Sequence, residues 1–450
     1  MANFDVAVGL TQKGLKTTLE AFFKNPTAQS KIFTQNFSQD VGGISVVMKL
    51  AIQITPEVVM TPPSATKWQE SYNASGTHPV GPPPASNVFQ IILSSIKISG
   101  TIAGIPVEGT NGLEIYGQFS LVKNVLTVTA LSVWLDESGW AKDGITKAIV
   151  NAIIIPYGLN TVNKLLNAIP FPQIPKDYTT TEFQDPILGI TNSNQLVLAT
   201  SMKSNPVTDL SNYTPPASED IYLQVALTLI NAVLKEKLGG YKLDESDKKG
   251  DSAAYASAEI KATLTGITGK IINDKTFASL NITGISGYGE LGGTATAIAK
   301  TVLCPIGTAI DAISDPKNWD KIISNFDIAY TPDPIDIPFT VKVTSTQSVE
   351  LSIGQVGPII VIAAPKWSGV IGSALAAMAA GFVDFISVLF ATKIVNGLIS
   401  SHGQNIQVLQ NASVQTSVEG ITITLTAETG AALVPQGDNL IVEGFTISFS

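Results

Sequence analysis

The chain repeats one arrangement of secondary structure, and this repetition constrains its fold more than any other feature. A short apolar strand runs into an amphipathic helix at Phe4–Phe23 and again at Ile221–Gly240. A long β-prone stretch follows in each half, and a second, longer apolar helix is predicted near its end, at 139–168 and 367–400. A duplicated unit of this kind predicts two domains in tandem.

Length and composition place the boundary between the two halves. The chain has 450 residues, which exceeds one ordinary core and suits two domains. Prolines and polar residues cluster at 204–218, as in an exposed linker. We predict a first unit at 1–205, a linker at 206–218 and a second unit at 219–450. The predicted fold class is α+β, with long antiparallel sheets and few helices.

Alternating apolar residues and turn-forming residues predict the elements within each unit. Strands are predicted at 42–60, 87–105, 113–135, 254–272, 276–288, 339–362, 404–427 and 439–449, with a further helix at 295–313. Exposed loops or connectors are predicted at 61–86, 242–253 and 331–338. Pro156 is expected to kink or split the helix at 139–168, because proline lacks a backbone N–H.

The charge composition argues against several classes of function. Charged residues make up only 14% of the chain, and apolar residues 44%. This composition is expected for a protein with wrapped sheets, with an internal apolar cavity or with a membrane-facing surface. All 27 basic residues are lysine, so the chain has no arginine guanidinium group to bind phosphate through bidentate hydrogen bonds. Nucleic acid is therefore not an expected partner.

Cysteine usage and the first residues bear on location. The one cysteine, Cys304, excludes an intramolecular disulfide. The opening MANFDVAVGL has neither the basic start nor the apolar run of a secretory signal. We therefore expect a cytoplasmic protein, or one exported without a cleavable signal peptide.

No motif in the sequence predicts an active site. Gly287–Gly292 matches the GxGxxG pattern of dinucleotide-binding turns, but the preceding sequence resembles an antiparallel meander. We interpret it as a glycine-rich turn between a strand and a helix. His78, His402 and Cys304 are too few and too scattered for a zinc site, and the segment from Asp244 lacks the glycine and glutamate of a calcium loop. We predict a non-enzymatic protein without metal or cofactor.

The apolar stretch Val370–Ala391 approaches the length of a membrane span. Asp384 interrupts it, and its small residues would allow close packing against a sheet. We favour a helix that lies in a core or lines a cavity. Conditional insertion into a membrane is the alternative, and a constitutive span is the least favoured reading.

Two apolar stripes at helical spacing are the candidate ligand contacts. They comprise Leu15, Leu19, Phe22 and Phe23 in the first unit and Leu223, Leu227, Ile230 and Leu234 on the helix of the second unit. Either stripe could instead be ordinary core, and for any single residue we favour that interpretation.

The order of elements resembles the tubular lipid-binding (TULIP) superfamily. TQKGL at Thr11–Leu15 is similar to the start of that family's first unit. NAIPFPQIP at Asn167–Pro175, followed by DPILGITNSNQLVLATS, is similar to its closing helix, proline-rich turn and final strand. The strand and helix at 221–238 match the start of a second unit.

This resemblance implies two tandem units, each a long helix wrapped by a curved antiparallel sheet that encloses an apolar tunnel. It implies an elongated apolar ligand, a lipid or fatty acid. Animal members such as bactericidal/permeability-increasing protein are secreted and commonly have a disulfide. This chain has neither, which favours similarity to bacterial accessory proteins encoded beside clostridial neurotoxins.

Two other functions stay open at this stage. One is a scaffold or interaction protein of a bacterial toxin or secretion assembly, with a closed interior and a protein partner. The other is a membrane-active protein that uses the helix 367–400, with membrane contact but no constitutive span.

Overall fold

The structure, a computed structural model, describes most of the chain. The described ranges are 4–122, 125–136, 147–167, 182–211, 213–216, 220–250, 254–293, 321–331, 334–356, 360–366, 395–410, 412–442 and 444–450. The predicted helix 295–313, most of the helix 367–400 and nearly all of the proline-rich segment Asn167–Pro175 lie outside these ranges. Within them the protein is α+β and mostly strand.

Strands and helices are numbered here in chain order. The strands are β1 (Val6–Thr11), β2 (Thr34–Val41), β3 (Ile44–Ile52), β4 (Glu57–Val59), β5 (Tyr72–Asn73), β6 (Val88–Ile102), β7 (Ile105–Val122), β8 (Val125–Trp134), β9 (Ile187–Ile190), β10 (Gln195–Thr200), β11 (Ile221–Ala226), β12 (Lys242–Gly250), β13 (Ala254–Ile272), β14 (Lys275–Gly293), β15 (Lys321–Thr331), β16 (Ile335–Val343), β17 (Val349–Ile353), β18 (Ile360–Lys366), β19 (Ile406–Leu409), β20 (Ser413–Val418), β21 (Ile421–Ala427), β22 (Val434–Gln436), β23 (Asn439–Val442) and β24 (Phe445–Phe449). The helices are α1 (Gln12–Phe23), α2 (Pro26–Lys31), α3 (Ala65–Glu70), α4 (Lys147–Ile149), α5 (Ile155–Asn167), α6 (Leu227–Leu238) and α7 (Asn396–His402), with a π-helical segment, Val150–Ile154, between α4 and α5.

The chain forms two compact units that are discontinuous in sequence. Unit 1 comprises Met1–Ala226, Val343–Val349 and Leu409–Ser450, and unit 2 comprises Leu227–Lys342 and Glu350–Val408. The predicted limits, 1–205 and 219–450, instead treat each domain as one continuous segment. The difference arises because the C-terminal strand β23 pairs with β11, which itself pairs with β1 near the N terminus, and no local pattern reports such a pairing.

A six-stranded sheet of unit 1 shows this long-range pairing directly. Its strand order is β22-β23-β11-β1-β10-β9. β1 lies in the middle and is buried, as its uninterrupted apolar sequence predicts. β11 pairs antiparallel with β1, with Val8 opposite Leu223. The strand predicted to open the second unit therefore belongs to a sheet of the first.

The larger sheet of unit 1 has the order β2-β3-β6-β7-β8-β5 and carries β4 beside β6. Its long strands β6 and β7 are joined by a two-residue turn, Ala103-Gly104, with positive φ at both positions, as a type I′ hairpin requires. Irregularities between Leu93 and Ile96 and between Tyr116 and Gly117 interrupt the ladder. Such bulges bend a sheet and increase its twist.

Helix α5 covers one face of this seven-stranded sheet, called here the inner face. Gly158 of α5 lies against the side chains of Val133 and Ile115, which are paired across β7 and β8. Pro156 alters the helix as predicted: the backbone N–H of Ile155 bonds to the Val150 carbonyl in π-helical fashion. Proline cannot donate to the Ala152 carbonyl, which instead accepts a 3.4 Å hydrogen bond from Gln39 Nε2.

Unit 2 is built on a sheet with the order β12-β13-β14-β16-β17-β19, to which β15 and β18 add a branch. β13 and β14 are each 19 residues long and meet at an Asn273-Asp274 turn with positive φ. Helix α6 packs on β13, where Asn231 Oδ1 accepts the backbone N–H of Gly269. The strands predicted at 254–272 and 276–288 are confirmed.

Several local predictions are wrong. The stretch 61–86 contains α3, whose Trp68 is buried, and residues 242–250 of the charged stretch 242–253 form strand β12. β16 begins inside the predicted connector 331–338. Gly287–Gly292 lies within strand β14, paired on both sides, and so is neither a turn nor a dinucleotide loop. In each case cross-strand pairing or an aromatic anchor outweighs the local preference for a loop.

Candidate ligand-binding site

The predicted stripe on α1 is core. Thr11 caps the helix by accepting the Gly14 N–H, and Leu15, Leu19 and Phe22 are at most 2% exposed. The ring of Phe22 lies 5.8 Å from those of Phe33 and Phe449. Half-buried Phe23 contacts Phe33 at 4.8 Å.

The α1 stripe is thus filled by its own neighbours. A charged residue in place of Phe22 would test folding rather than ligand retention, because it would leave an unpaired charge beside the rings of Phe33 and Phe449.

The predicted stripe of the second unit is only partly a stripe. Leu223 lies on β11, in unit 1, because the helix starts later than predicted. Ile230 and Leu234 are fully buried on α6, and the half-buried Leu227 sits beside Gly269 of β13 together with Ile230. The structure therefore places three of the four residues on one helix and brings two of them, Leu227 and Ile230, to a contact with β13.

The inner face of the seven-stranded sheet is the larger apolar surface, and its lining was missed in the sequence. Residues of one face alternate along a strand, and paired residues share a face. By this rule Met48, Leu50, Ile98, Leu93 and Ile115 all lie on the inner face, and each is at most 1% exposed. The regular alternation of β3 and β6 was the available signal.

The inner face does not stay covered along its whole length. At the ends of the β2–β3 and β6–β7 hairpins it continues into Val41, Ile44, Ile102 and Ile105, called here the apolar rim. Ile44 is 41% exposed and Ile105 is 67% exposed, whereas Val46, which is opposite Ile102, is fully buried. The rim joins directly onto buried apolar surface because Ile102 pairs with both Val46 and Ile105.

The outer face of the same sheet carries an open depression of about 320 Å³. Asn36, Ser38, Val47, Lys49 and Ser99 form its walls, and the backbone of Phe37, Met48 and Gly100 forms its floor. Its walls offer an ammonium, an amide and two hydroxyl groups. The surface that lines the depression is nevertheless mainly apolar, so it does not single out a polar or anionic ligand.

Both histidines have structural partners, and Cys304 lies outside the described residues. The His78 ring packs on Tyr72 and its Nδ1 lies 2.9 Å from the Ser71 carbonyl oxygen. His402 Nε2 lies 2.9 Å from the hydroxyl of Tyr241. Among the described residues no three His, Cys, Asp or Glu side chains cluster as metal ligands would.

Two tyrosine hydroxyls of unit 1, those of Tyr157 and Tyr213, are buried. Burial raises the pKa of the Tyr157 and Tyr213 hydroxyls well above the usual range. Tyr213 donates to Gln224 Oε1 at 3.0 Å, beneath the six-stranded sheet. Neither group can ionise near neutral pH.

No helix in the described part of the chain combines the length and the apolar character that crossing a bilayer requires. The predicted apolar helix 367–400 enters that part of the chain only from residue 395.

Comparisons with known proteins add little to this geometry. No protein-family model and no curated protein sequence matches the chain. Among solved structures, the chain is similar to a crystal structure of lipopolysaccharide binding protein. That match covers 99% of both chains, with 11% sequence identity and a TM-score of 0.35. A likeness of this degree does not by itself assign a ligand to this chain.

Proposed function

We propose that the protein is a non-enzymatic binder of an elongated apolar ligand, such as the acyl chain of a lipid or fatty acid. The observation that carries the proposal is the apolar rim of unit 1. It exposes isoleucine side chains that continue the buried inner face of the sheet. An apolar ligand that packs on these side chains would therefore lie against the edge of the core. An exposed apolar patch joined to a core is a typical binding surface in a soluble domain.

The energetics of the rim fit an alkyl chain. Burying one isoleucine side chain is worth about 1.5–3 kcal/mol, because apolar surface leaves water. The rim has several such side chains and few polar groups, so binding would depend on contact area and not on a charged anchor. The low charge of the chain, 14%, is in keeping with this.

The finer architecture belongs to the same proposal. In both units a helix packs on long antiparallel strands, α5 on β7 and β8 in unit 1 and α6 on β13 in unit 2. We extend this to two TULIP-like units with apolar interiors, as the sequence resemblance implies. The α1 and α6 stripes would then support the interior, while the rim would be the point of ligand contact.

The first experiment is native mass spectrometry of the purified protein, with organic extraction of the same sample. Lipid that co-purifies at defined stoichiometry supports the proposal and names the ligand class. Affinity is then measured by titrating a fluorescent fatty acid into the wild type and into the Ile105→Lys variant. We expect at least about tenfold weaker binding by the variant, equivalent to about 1.4 kcal/mol.

The matched control is Val122→Lys. Val122 is 53% exposed and lies at the opposite end of the same strand as Ile105. Both substitutions place lysine at an exposed hairpin end, so both variants should fold. Equal fatty-acid affinity in the two variants, or no binding by the wild type, would overturn the proposal.

The two alternative functions remain predictions. A scaffold with a closed interior would bind a protein partner and no lipid in the experiment above. Membrane activity through the helix 367–400 depends on residues that mostly lie outside the described ranges.

A further inference from the structure

Strand β2 forms an open edge of the seven-stranded sheet. Its sequence, TQNFSQDV, has one charged residue, Asp40, and no proline. The edge of similar length in unit 2, β12, reads KLDESDKKG and is mostly charged. Charges and prolines on an edge strand prevent pairing with another chain. The edge at β12 is protected in this way, whereas the edge at β2 is not.

The hydrogen-bond phase of β2 identifies the groups that face outward. The backbone N–H of Ile52 donates to the Phe33 carbonyl at 2.9 Å, which places that pair in the hydrogen-bonded set. Antiparallel partners alternate between bonded and non-bonded pairs. By the β2–β3 register, residues 35, 37, 39 and 41 therefore bond to β3. Residues 34, 36, 38 and 40 direct their N–H and C=O groups away from the sheet.

These outward groups are accessible. Asn36, Ser38 and Asp40 are exposed. In the described part of the chain none of their outward backbone groups has a hydrogen-bond partner. An unpaired row of this kind is a template for an added strand.

We propose that β2 pairs antiparallel with β2 of a second copy of this chain, about a two-fold axis at Phe37. The outward residues then meet one another: Asn36 lies opposite the partner's Ser38, and Thr34 lies opposite the partner's Asp40. On the other face Gln35 lies opposite the partner's Gln39. Every polar pair can form a hydrogen bond, and no like charges meet.

The register follows from the positions of the outward groups. If the pairing register between the two β2 strands shifted by one residue, the outward N–H and C=O groups of one strand would lie opposite residues whose groups already bond to β3. A shift of the axis to Asn36 or Ser38 would leave some outward groups without a partner. An axis at Asp40 would bring the two aspartates together, which destabilises the pair. The axis at Phe37 satisfies all of the outward groups and separates the charges.

Phe37 supplies an apolar centre for this pairing. Its half-buried ring lies on the inner face, 6.0 Å from the ring of Tyr157. On the axis it would face the partner's Phe37 in a non-hydrogen-bonded pair, where Cα atoms are about 4.5 Å apart and side chains are closest. An aromatic pair at such a site stabilises the association beyond the apolar area that it buries.

A pair of double variants tests the interface and its register. Asn36→Lys with Ser38→Lys places two ammonium groups opposite each other across the axis, and should give a monomer of 47.3 kDa by analytical ultracentrifugation. Asn36→Lys with Ser38→Glu creates opposite charges at the same places and should retain the dimer. Both variants carry the same lysine beside Lys49, so that local repulsion cancels.

Disulfide trapping tests the position of the axis. In a Cys304→Ser background, Phe37→Cys should form a disulfide-linked dimer on mild oxidation, because the two sulfur atoms would meet on the axis. Gln39→Cys is the matched control, since in the proposed register it faces Gln35 and not itself. Circular dichroism verifies that each variant is folded.

A monomeric wild type at micromolar concentration would overturn the proposal. The same oligomeric state in both double variants would overturn it too, as would equal trapping by Phe37→Cys and Gln39→Cys. The lipid experiment is independent of these outcomes, since the rim residues are not substituted.

Discussion

At the scale of single residues, asparagine amides connect helices to strands in both units. Next to the bulge between Tyr116 and Gly117, the Ala130 N–H of β8 donates to Asn163 Oδ1 of α5 at 2.9 Å. Asn231 of α6 accepts the Gly269 N–H in the same way. These amides satisfy polar groups inside apolar contacts, where an unmade hydrogen bond is costly.

We expect Asn163→Ala to lower the free energy of unfolding by about 1–2 kcal/mol, because the Ala130 N–H loses its partner. Urea denaturation measures the effect. Asn160→Ala is the control: Asn160 is exposed on the same helix, and alanine favours helix there. If the two variants are equally stable, the Asn163 hydrogen bond does not contribute.

A second residue-scale prediction concerns Gly100, where β3 and β6 approach closely. A Cβ atom there would lie 2.0 Å from the Val47 carbonyl oxygen. We expect Gly100→Ala to cost about 1–3 kcal/mol, as over-packing does, since backbone must move. Gly104→Ala, at an open turn position, does not clash but requires positive φ, so it separates crowding from turn strain. The crowding argument fails if Gly100→Ala is the milder of the two in urea denaturation.

At the scale of elements, Asp336 joins three strands of unit 2. Its carboxylate on β16 accepts hydrogen bonds from Lys270 Nζ of β13 at 2.7 Å and from Ser279 Oγ of β14 at 2.6 Å. Partial burial by itself raises the pKa of Asp336, but the hydrogen bonds from Lys270 and Ser279 outweigh it and hold the pKa below its usual value.

The lowered pKa predicts a pH dependence of stability. A carboxyl whose pKa is lower in the folded state stabilises the fold above its unfolded pKa, about 3.9, and this stabilisation is lost as the pH falls through the folded pKa. Asp336→Asn should therefore be less stable than wild type at pH near neutral, with the difference shrinking in acid. Urea unfolding of the wild type and the variant at neutral and at acidic pH measures this difference in the free energy of unfolding. Asp274→Asn, at an exposed position, is the control. A difference that grows in acid would contradict the assignment.

At the scale of the whole molecule, the C-terminal segment completes unit 1. β23 pairs with β11, and Phe449 of β24 stacks on Phe22 of α1. Glu419 pairs with Lys164 of α5 at 2.7 Å. Both ends of the sequence are therefore needed to complete one core.

How much of this was accessible in the sequence differs between elements. The strand and helix at 6–23 and strand β6 were predicted, because apolar periodicity and turn residues are local signals. The strand predicted at 113–135 is instead the second half of β7 followed by β8. β2 was missed because its polar sequence has no alternation, and it exists through pairing with β3. The same difference applies to the candidate site. The stripes on α1 and α6 could be predicted from the spacing of apolar residues, whereas the rim could be identified only from the strand register of two hairpins.

The sequence by itself determined the α+β class, the low charge and the apolar faces, because these depend on residue type and spacing along the chain. Only the tertiary structure decided that β11 and the C-terminal strands join the first unit. It also decided that the α1 stripe is filled core, and that the inner face ends in an exposed rim. The physical reason is that pairing and burial are set by residues distant in sequence, whose register no local pattern encodes.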